Sequence, residues 1–251
     1  MSEQFYGSES VSHDYGGVSN ELGVNETFRS LMYYAEGLVL TNIDTDPATF
    51  QHELGVGQLA AQMLPPALRS HTFDIDGANE SYAVVASVCG GTHDCGKYGP
   101  DVQEKLSYAG DFGHETRLWV RREHCFAGYM RLLGYQQDFV DSVKRPVLST
   151  AALVALYHHS AVPEAYDHLP REQAIVWGLT HLVKYCDVLH ALRFDVSSRR
   201  NYQKEREGQT VRTKPPEVIL DIIHKECGTR PPIIDGVEID IEQELHNALG
   251  L

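Results

Sequence analysis

Histidine and aspartate side chains recur in this chain at positions where a packed helix should carry apolar residues. A carboxylate on a buried helix face is costly unless it is paired or bound to a metal ion. Imidazole and carboxylate ligands together suit zinc, iron, manganese or nickel better than calcium. The pattern therefore predicts a metal site whose ligands come from five points along the chain: His52, His93-Asp94, His124, His158-His159 and Asp187.

Each of these points has a simpler explanation when it is considered alone. A lone histidine on an apolar face is usually a hydrogen-bonded core residue, and His52 alone would be read in that way. Asp187 could form a buried ion pair with Lys184 or Arg193, and a His-Asp dipeptide often occurs by chance. Five such points in one chain favour a shared site over separate structural roles.

The elements that would position these residues are predicted to be mainly helical. Apolar residues recur at helical spacing from His52 to Leu64, and Pro65-Pro66 ends that helix. The apolar run Ser81 to Cys89 leads into a turn before His93. Further helices are predicted from Asn25, over Trp119–Leu133 with Gly134 as its end, over Ala151–His159 and Ile175–Phe194, and over Glu217–Lys225 before Gly228, with one short strand or hairpin over Ile233–Ile241. The predicted fold class is a mainly α helical bundle.

Composition limits the class of protein. The chain has 251 residues, 42% of them hydrophobic, which is typical of a globular protein. The N-terminal residues are rich in Ser, Gly, Glu, Asn and Tyr and show no periodicity, so a flexible arm is predicted over 1–24 and a single domain over 25–251. The net charge of −14 disfavours a nucleic-acid partner and leaves a small anionic substrate open. The absence of a signal sequence, of a long apolar run and of a CxxC pair predicts a cytoplasmic protein that does not enter the membrane.

Four of the five cysteines adjoin the predicted ligands. Cys95 follows Asp94, Cys125 follows His124, Cys186 precedes Asp187, and Cys89 lies four residues before His93. We interpret them as small, soft residues that pack well beside a metal site, with oxidation-sensitive thiols as the alternative.

The segment Thr92–Lys97, with its His93-Asp94 pair, resembles the HDxGK motif of the HD superfamily of metal-dependent phosphohydrolases. The order of an early His, an HD pair, a His, a His-His pair and a late Asp is also similar. Within the superfamily the chain resembles the HD-GYP branch, through Trp119–Gly128, Cys186–Leu192, the Arg200–Gln203 segment and the helix from Ile219 to Gly228-Thr229. This resemblance covers residues from about 50 to the end and implies an HD-domain helical bundle.

The resemblance implies a role for each matching residue. Two divalent metal ions, most simply iron or manganese with zinc or nickel as alternatives, would hold a hydroxide that attacks a nucleotide-type phosphodiester. Asp94 would bridge the two ions, and Lys97 would contact a phosphate oxygen. Arg200 and Tyr202 would bind a second phosphate or a base. The remaining ligands would be His52, His93 and Asp187 on one side, and His124, His158 and His159 on the other.

The chain also departs from the branch. The stretch after His158-His159 carries Ser160 in place of Glu, and Tyr166-Asp167-His168 in place of Gly-Tyr-Pro. A cyclic dinucleotide is therefore only one of the possible substrates. The alternatives are the HD nuclease of CRISPR interference, which the segment His93–Leu106 also resembles, a nucleotide phosphomonoesterase, and a catalytically silent metal-binding interaction module.

The resemblance also bears on the number of ions. Some members of the branch hold a third ion with a Glu one helical turn before the early His, and that position is Ala48 here. Two ions are therefore predicted. His52 is assigned as the early ligand from its helix register, and His71 is the nearest alternative. The sequence does not predict the oligomeric state.

Overall fold

A computed structural model describes residues 47–107, 114–138, 145–194 and 215–249. The predicted arm over 1–24, the predicted helix from Asn25, and the predicted substrate-binding residues Arg200 and Tyr202 lie outside this part of the chain. Nine helices and four short strands occur within it. They are α1 (Pro47–Gln62), α2 (Pro66–Arg69), β1 (Thr72–Phe73), β2 (Glu80–Ser81), α3 (Tyr82–Thr92), α4 (Pro100–Ser107), α5 (His114–Asp138), α6 (Arg145–Tyr157), α7 (Arg171–Phe194), α8 (Pro216–Cys227), β3 (Ile233–Ile234), β4 (Val237–Glu238) and α9 (Ile241–Leu249).

The mainly helical architecture confirms the predicted fold class. The strands form only two antiparallel hairpins, one pairing β1 with β2 and the other pairing β3 with β4. Two short 3₁₀ turns, Cys95–Tyr98 and Tyr166–His168, connect neighbouring helices. Among the described helices, none has the length and apolar character that crossing a lipid bilayer would require.

Helix α3 is the centre of the bundle. All eleven of its residues are buried, and it packs against α1, α6 and α7. Its start is set by Ser81, whose hydroxyl accepts a hydrogen bond from the backbone N–H of Val84 at 3.4 Å. The helix ends at Thr92, so the chain passes directly from the most buried element into His93 and Asp94. The metal-ligand pair therefore begins inside the core.

The close approach of α1 to α3 depends on small residues. A Cβ atom built on Gly57 would lie 2.7 Å from the carbonyl oxygen of Ser87, and one built on Gly90 would lie 2.9 Å from Gly57 Cα. Any larger side chain at these positions would separate the helices. Because α1 carries His52 and α3 precedes His93, this contact sets the distance between the two histidines.

Two sequence predictions require correction at the level of helices. Helix α5 continues through Gly134 to Asp138, because one glycine weakens a helix without ending it when no left-handed turn follows. The C-terminal apolar pattern forms the predicted hairpin only over β3 and β4. Ile241 instead begins helix α9, where Ile241 and Leu245 are four residues apart and both buried.

Candidate metal centre

His93 and Asp94 follow α3 and are almost completely buried, with exposed fractions of 0% and 1%. The Nδ1–H of His93 donates to the carbonyl oxygen of Gly90 at 2.7 Å, which leaves the lone pair on Nε2. Within the part of the chain that the structure describes, His93 Nε2 and Asp94 Oδ1 have no hydrogen-bond partner. Because buried polar atoms in proteins are normally satisfied, two such neighbouring atoms fit a cation as their common partner.

Three of the predicted histidine ligands are held by the same type of hydrogen bond. The Nδ1–H of His124 donates to Val120 at 2.6 Å, and that of His158 donates to Ala155 at 2.8 Å, as His93 does to Gly90. In each case the acceptor is a backbone carbonyl three or four residues earlier. This bond fixes the ring and leaves Nε2 free to coordinate, which is the usual arrangement behind metal-binding histidines.

The two carboxylate oxygens of Asp94 face different histidines. Its Oδ1 lies 3.3 Å from His124 Nε2 and 3.5 Å from His158 Nε2. Its Oδ2 lies 3.5 Å from His93 Nε2 and 4.0 Å from His52 Nε2. One carboxylate is therefore shared between two sets of ring nitrogens. This is the geometry of a residue that could bridge two cation positions.

Asp187 joins the His52 side of the cluster. Its Oδ1 lies 2.9 Å from His52 Nε2 and 3.8 Å from His93 Nε2. Helix α1 supplies His52, α3 leads to His93, and α7 supplies Asp187. The assignment of His52 over His71 agrees with this placement, because His71 is exposed and its ring lies against Tyr82.

Three groups of described residues place ligand atoms within 4.8 Å of one another and could hold a metal ion. Among all the residues of these three groups His159 is the most exposed, and its ring centroid lies 4.1 Å from that of His158. The donors are nitrogen and oxygen with one sulfur, which fits a transition metal better than calcium. The groups are His124, Cys125, His158 and His159; His52, His93 and Asp187; and His93, Asp94 and His158.

The charged groups of the cluster shift one another's pKa values. Burial opposes ionisation of Asp94, but Lys97 and His93 outweigh it and hold the pKa of Asp94 well below its usual value. Burial likewise opposes ionisation of Asp187, and its contacts with His52 and His93 hold its pKa low. Burial would lower the pKa of His93, yet Asp94 raises it. The two carboxylates therefore favour bound positive charge, either as protons or as metal ions.

Lys97 lies at the edge of the cluster. Its ammonium contacts Asp94 Oδ2, and 23% of its side chain is exposed. Burial would lower the pKa of Lys97, but Asp94 raises it, so the group stays charged. The backbone is held by Gln103, whose Nε2–H donates to the carbonyl oxygen of Lys97 at 2.7 Å. A permanent positive charge thus lies beside the shared carboxylate.

Sequence reasoning did not identify the role of His190. Its Nδ1 lies 3.0 Å from His52 Nδ1, and 6% of the residue is exposed. Burial, followed by the neighbouring His52, lowers the pKa of His190 to about 3, so the ring is neutral. It can therefore accept a hydrogen bond from His52 Nδ1–H and so orient the Nε2 atom of His52 towards Asp187. The available signal was its position three residues after Asp187 on α7.

The close packing of His190 depends on Gly55. A Cβ atom on Gly55 would overlap the imidazole of His190. The glycine on α1 therefore opens the space that lets a histidine from α7 reach His52. No spacing rule in the sequence connects these two residues.

The cysteines differ in where their sulfur atoms point. Cys95 Sγ lies 3.8 Å from the carbonyl oxygen of Gly128, and Cys186 Sγ lies 3.6 Å from Met63 Sδ. These contacts fit the predicted packing role. Cys125 Sγ instead lies 3.8 Å from His124 Nε2. The sulfur of Cys125 therefore faces the cluster, which the sequence interpretation did not foresee.

No protein-family model, curated protein or solved structure matches this chain. What can be stated about the site therefore comes from its geometry. The protein is mainly helical and contains a buried cluster of histidine and aspartate residues that could bind metal. This arrangement is compatible with an HD-type fold.

Proposed function

We propose that this protein is a metal-dependent phosphohydrolase that cleaves a nucleotide-type phosphodiester. The observation that carries the proposal is the position of Asp94, whose two oxygens face separate sets of histidine nitrogens. Divalent cations bound there would supply Lewis acidity to the phosphate and to the attacking water. The donor set fits iron, manganese, zinc or nickel, and iron or manganese is the first choice.

The chain's own residues divide the remaining tasks. The divalent cations would be bound, in a buried environment, by two carboxylates and by the ring nitrogens of His52, His93, His124 and His158. Lys97 keeps its proton and presents an ammonium to a phosphate oxygen. Arg200 and Tyr202 remain proposed contacts to the rest of the substrate.

The more exposed members of the cluster are the ones that a substrate would contact first. His159 is exposed, and the side chains of Asp187 and Lys97 are 19% and 23% exposed. His93, Asp94 and His158 are buried. A small phosphate ester needs to contact only the more exposed members of the cluster, whereas the net charge of −14 opposes a long polyanion. A nucleotide is therefore preferred over a nucleic-acid strand.

One observation favours a second candidate, a catalytically silent module. Lys97 already neutralises Asp94 Oδ2 through a direct ion pair. A cluster that uses this pair only for stability would need no substrate. The replacement of Gly-Tyr-Pro by Tyr166-Asp167-His168 points in the same direction.

A hydrolysis screen separates the two candidates. Protein purified without oxygen and loaded with ferrous iron or manganese is assayed with cyclic dinucleotides, linear dinucleotides, mononucleotides and single-stranded DNA. We expect turnover of a dinucleotide, with kcat lower by several orders of magnitude in His93→Ala and Asp94→Ala. His168→Ala is the matched control, because this histidine is exposed on the Tyr166–His168 turn. Activity that survives both substitutions and chelation would overturn the proposal.

A further inference from the structure

Cys95, Cys125 and Cys186 are each directly next to a predicted metal ligand in the sequence, but their sulfur atoms have different surroundings. Cys95 Sγ is close to the Gly128 carbonyl, and Cys186 Sγ is close to Met63 Sδ. Only Cys125 belongs to a group of described residues whose ligand atoms could hold a metal ion. Adjacency in sequence therefore does not explain its position.

The sulfur of Cys125 is buried among imidazoles. The residue is 6% exposed, and Sγ lies 3.8 Å from His124 Nε2 and 3.9 Å from His158 Nδ1. The Nδ1–H of His158 is already directed at the carbonyl oxygen of Ala155. The thiol therefore lies beside His124 Nε2, which is also one of the two ring nitrogens that face Asp94 Oδ1.

An independent observation indicates that a cation belongs in this space. Asp94 Oδ1 is buried and has no hydrogen-bond partner among the described residues, although His124 Nε2 and His158 Nε2 are 3.3 and 3.5 Å away. An anionic oxygen that approaches two ring nitrogens without a hydrogen bond is suited to sharing a cation with them. Cys125 adds a sulfur donor to the same side.

We infer that Cys125 is a thiolate ligand on the His124 side of the centre. This inference rests on the proposed metal-binding function and specifies the ligands of the cation position beside His124. On binding, the S–H bond breaks, the proton leaves to solvent, and the sulfur electron pair bonds to the cation. The donors on this side are then Cys125 with His124, His158 and His159, whose ligand atoms form one group. Asp94 Oδ1 lies 3.3 Å from the Nε2 atom of His124 and 3.5 Å from that of His158.

The sulfur donor makes the two sides chemically different. Thiolate ligands favour zinc and ferrous iron, whereas carboxylate and carbonyl oxygens suit manganese and magnesium. The His52 side offers His52, His93 and Asp187 without sulfur. We therefore expect the His124 side to select zinc or ferrous iron and the His52 side to accept manganese more readily.

Cobalt titration tests the sulfur ligand without using activity. Cobalt(II) is added to the anaerobic full-length protein, and the absorption spectrum is followed through the visible and near-ultraviolet regions. We expect visible d–d bands together with a sulfur-to-cobalt charge-transfer band. The charge-transfer band should disappear in Cys125→Ser and Cys125→Ala, while the d–d bands remain. Cys95→Ser is the matched control, because that cysteine also follows a ligand yet its sulfur faces Gly128.

The outcomes distinguish this inference from the proposed function. Cobalt binding by the wild-type protein without a charge-transfer band would overturn the role of Cys125 and leave the metal centre standing. A band that persists in a Cys125 variant with wild-type circular dichroism would assign the sulfur to another cysteine and also overturn it. Failure of the wild-type protein to bind cobalt at all would overturn both proposals.

Discussion

At the scale of single residues, three imidazoles of the cluster are oriented by hydrogen bonds to the backbone. His93, His124 and His158 each donate Nδ1–H to a carbonyl of the preceding helical turn. Their Nε2 atoms are therefore directed inwards without further ordering of the rings. His52 differs, because its Nδ1 meets the ring of His190 instead of a carbonyl. The His52 side thus depends on a side chain from another helix.

We predict that His190→Ala weakens metal binding without removing a ligand. Loss of the hydrogen bond to His52 Nδ1 should lower metal affinity by about 10- to 100-fold, as for other residues behind metal ligands. Gly55→Ala should produce a similar loss, because its Cβ would displace the ring of His190. The dissociation constant for zinc, measured by competition with a chelating indicator, checks both variants. His190→Asn should recover part of the affinity if hydrogen bonding matters, and unchanged affinity in His190→Ala would contradict the role.

We predict that Lys97→Ala lowers turnover and keeps the metal. The ammonium contacts Asp94 Oδ2 and repels cations, so its removal should not weaken metal binding. Loss of a phosphate contact in the transition state should cost roughly 2–4 kcal/mol in kcat/KM, by analogy with an oxyanion-hole donor. Metal content and kcat/KM are measured on the same preparation, with exposed Lys225→Ala as the control. Wild-type turnover at full metal content would show that Lys97 has no catalytic role.

At the scale of elements, the site depends on how closely the 3₁₀ turn after Asp94 approaches α5. A Cβ on Gly96 would overlap the carbonyl of His124 and approach the backbone nitrogen of Gly128 at 2.5 Å. Backbone atoms cannot move aside as a flexible side chain can. Gly96 therefore sets the distance between Asp94 and His124.

We predict opposite stability changes for two glycine substitutions. Gly96→Ala should lower the free energy of unfolding by about 1–3 kcal/mol, because it overpacks a backbone contact. Gly134→Ala should raise it by up to about 1 kcal/mol, because Gly134 lies inside α5 with nothing within 4 Å of the added Cβ. Urea unfolding measures both values. Equal stability of the two variants would show that the turn does not depend on the close approach.

The helices were more predictable from sequence than their ends. Repeated apolar spacing and Pro65-Pro66 correctly indicated the helix that carries His52, and it ends at Gln62. Gly134 did not end α5, because the end of a helix depends on the following turn as well as on the residue. Helix α9 was missed because Ile239 and Ile241 alternate like a strand, while the helical contact appears only when Leu245 is packed beside Ile241.

At the scale of the whole molecule, the buried histidine His181, which lies outside the cluster, affects the pH dependence of stability. His181 is 2% exposed, donates Nε2–H to the carbonyl of Cys227 at 3.2 Å, and accepts from Tyr166 at 3.4 Å. Burial, with smaller contributions from Lys184 and Arg230, lowers the pKa of His181 to about 4. The folded protein therefore holds this ring neutral where an unfolded chain would protonate it.

We predict that His181 makes the protein less stable in weak acid. Its pKa is about 4 when folded and 6.5 in the absence of these effects, so the unfolded state binds the extra proton between these values. The contribution of His181 to the free energy of unfolding should be fully present above pH 6.5. It should decrease as the pH falls towards 4, by up to about 3 kcal/mol. His181→Gln should remove this part of the slope, so the pH dependence of the difference from wild type in urea unfolding isolates it. A constant difference from pH 7 to 4.5 would contradict the assignment.

The members of the candidate site that could be predicted from sequence are the histidine and aspartate residues that interrupt an apolar helix face. His52, His93, His124, His158 and Asp187 interrupt apolar faces, and the structure brings them together with Asp94. The direction of the Cys125 sulfur depends on how α5 and α6 pack, and the contact of His190 with His52 depends on how α7 packs against α1. Such contacts between distant parts of the chain leave no periodic pattern in the sequence.

The central claim is that the buried carboxylate of Asp94 is a ligand at both cation positions of one metal centre. The metal content of the purified protein tests this claim most directly. Protein reconstituted anaerobically with ferrous iron and freed of excess metal is analysed by mass spectrometry of the elements. We predict about two equivalents per chain for the wild type and for Asp240→Asn, whose aspartate is exposed. Asp94→Ala should hold less than one equivalent, because both positions lose a ligand oxygen. A wild-type protein without stoichiometric metal, or an Asp94→Ala variant that retains both equivalents, would contradict the account.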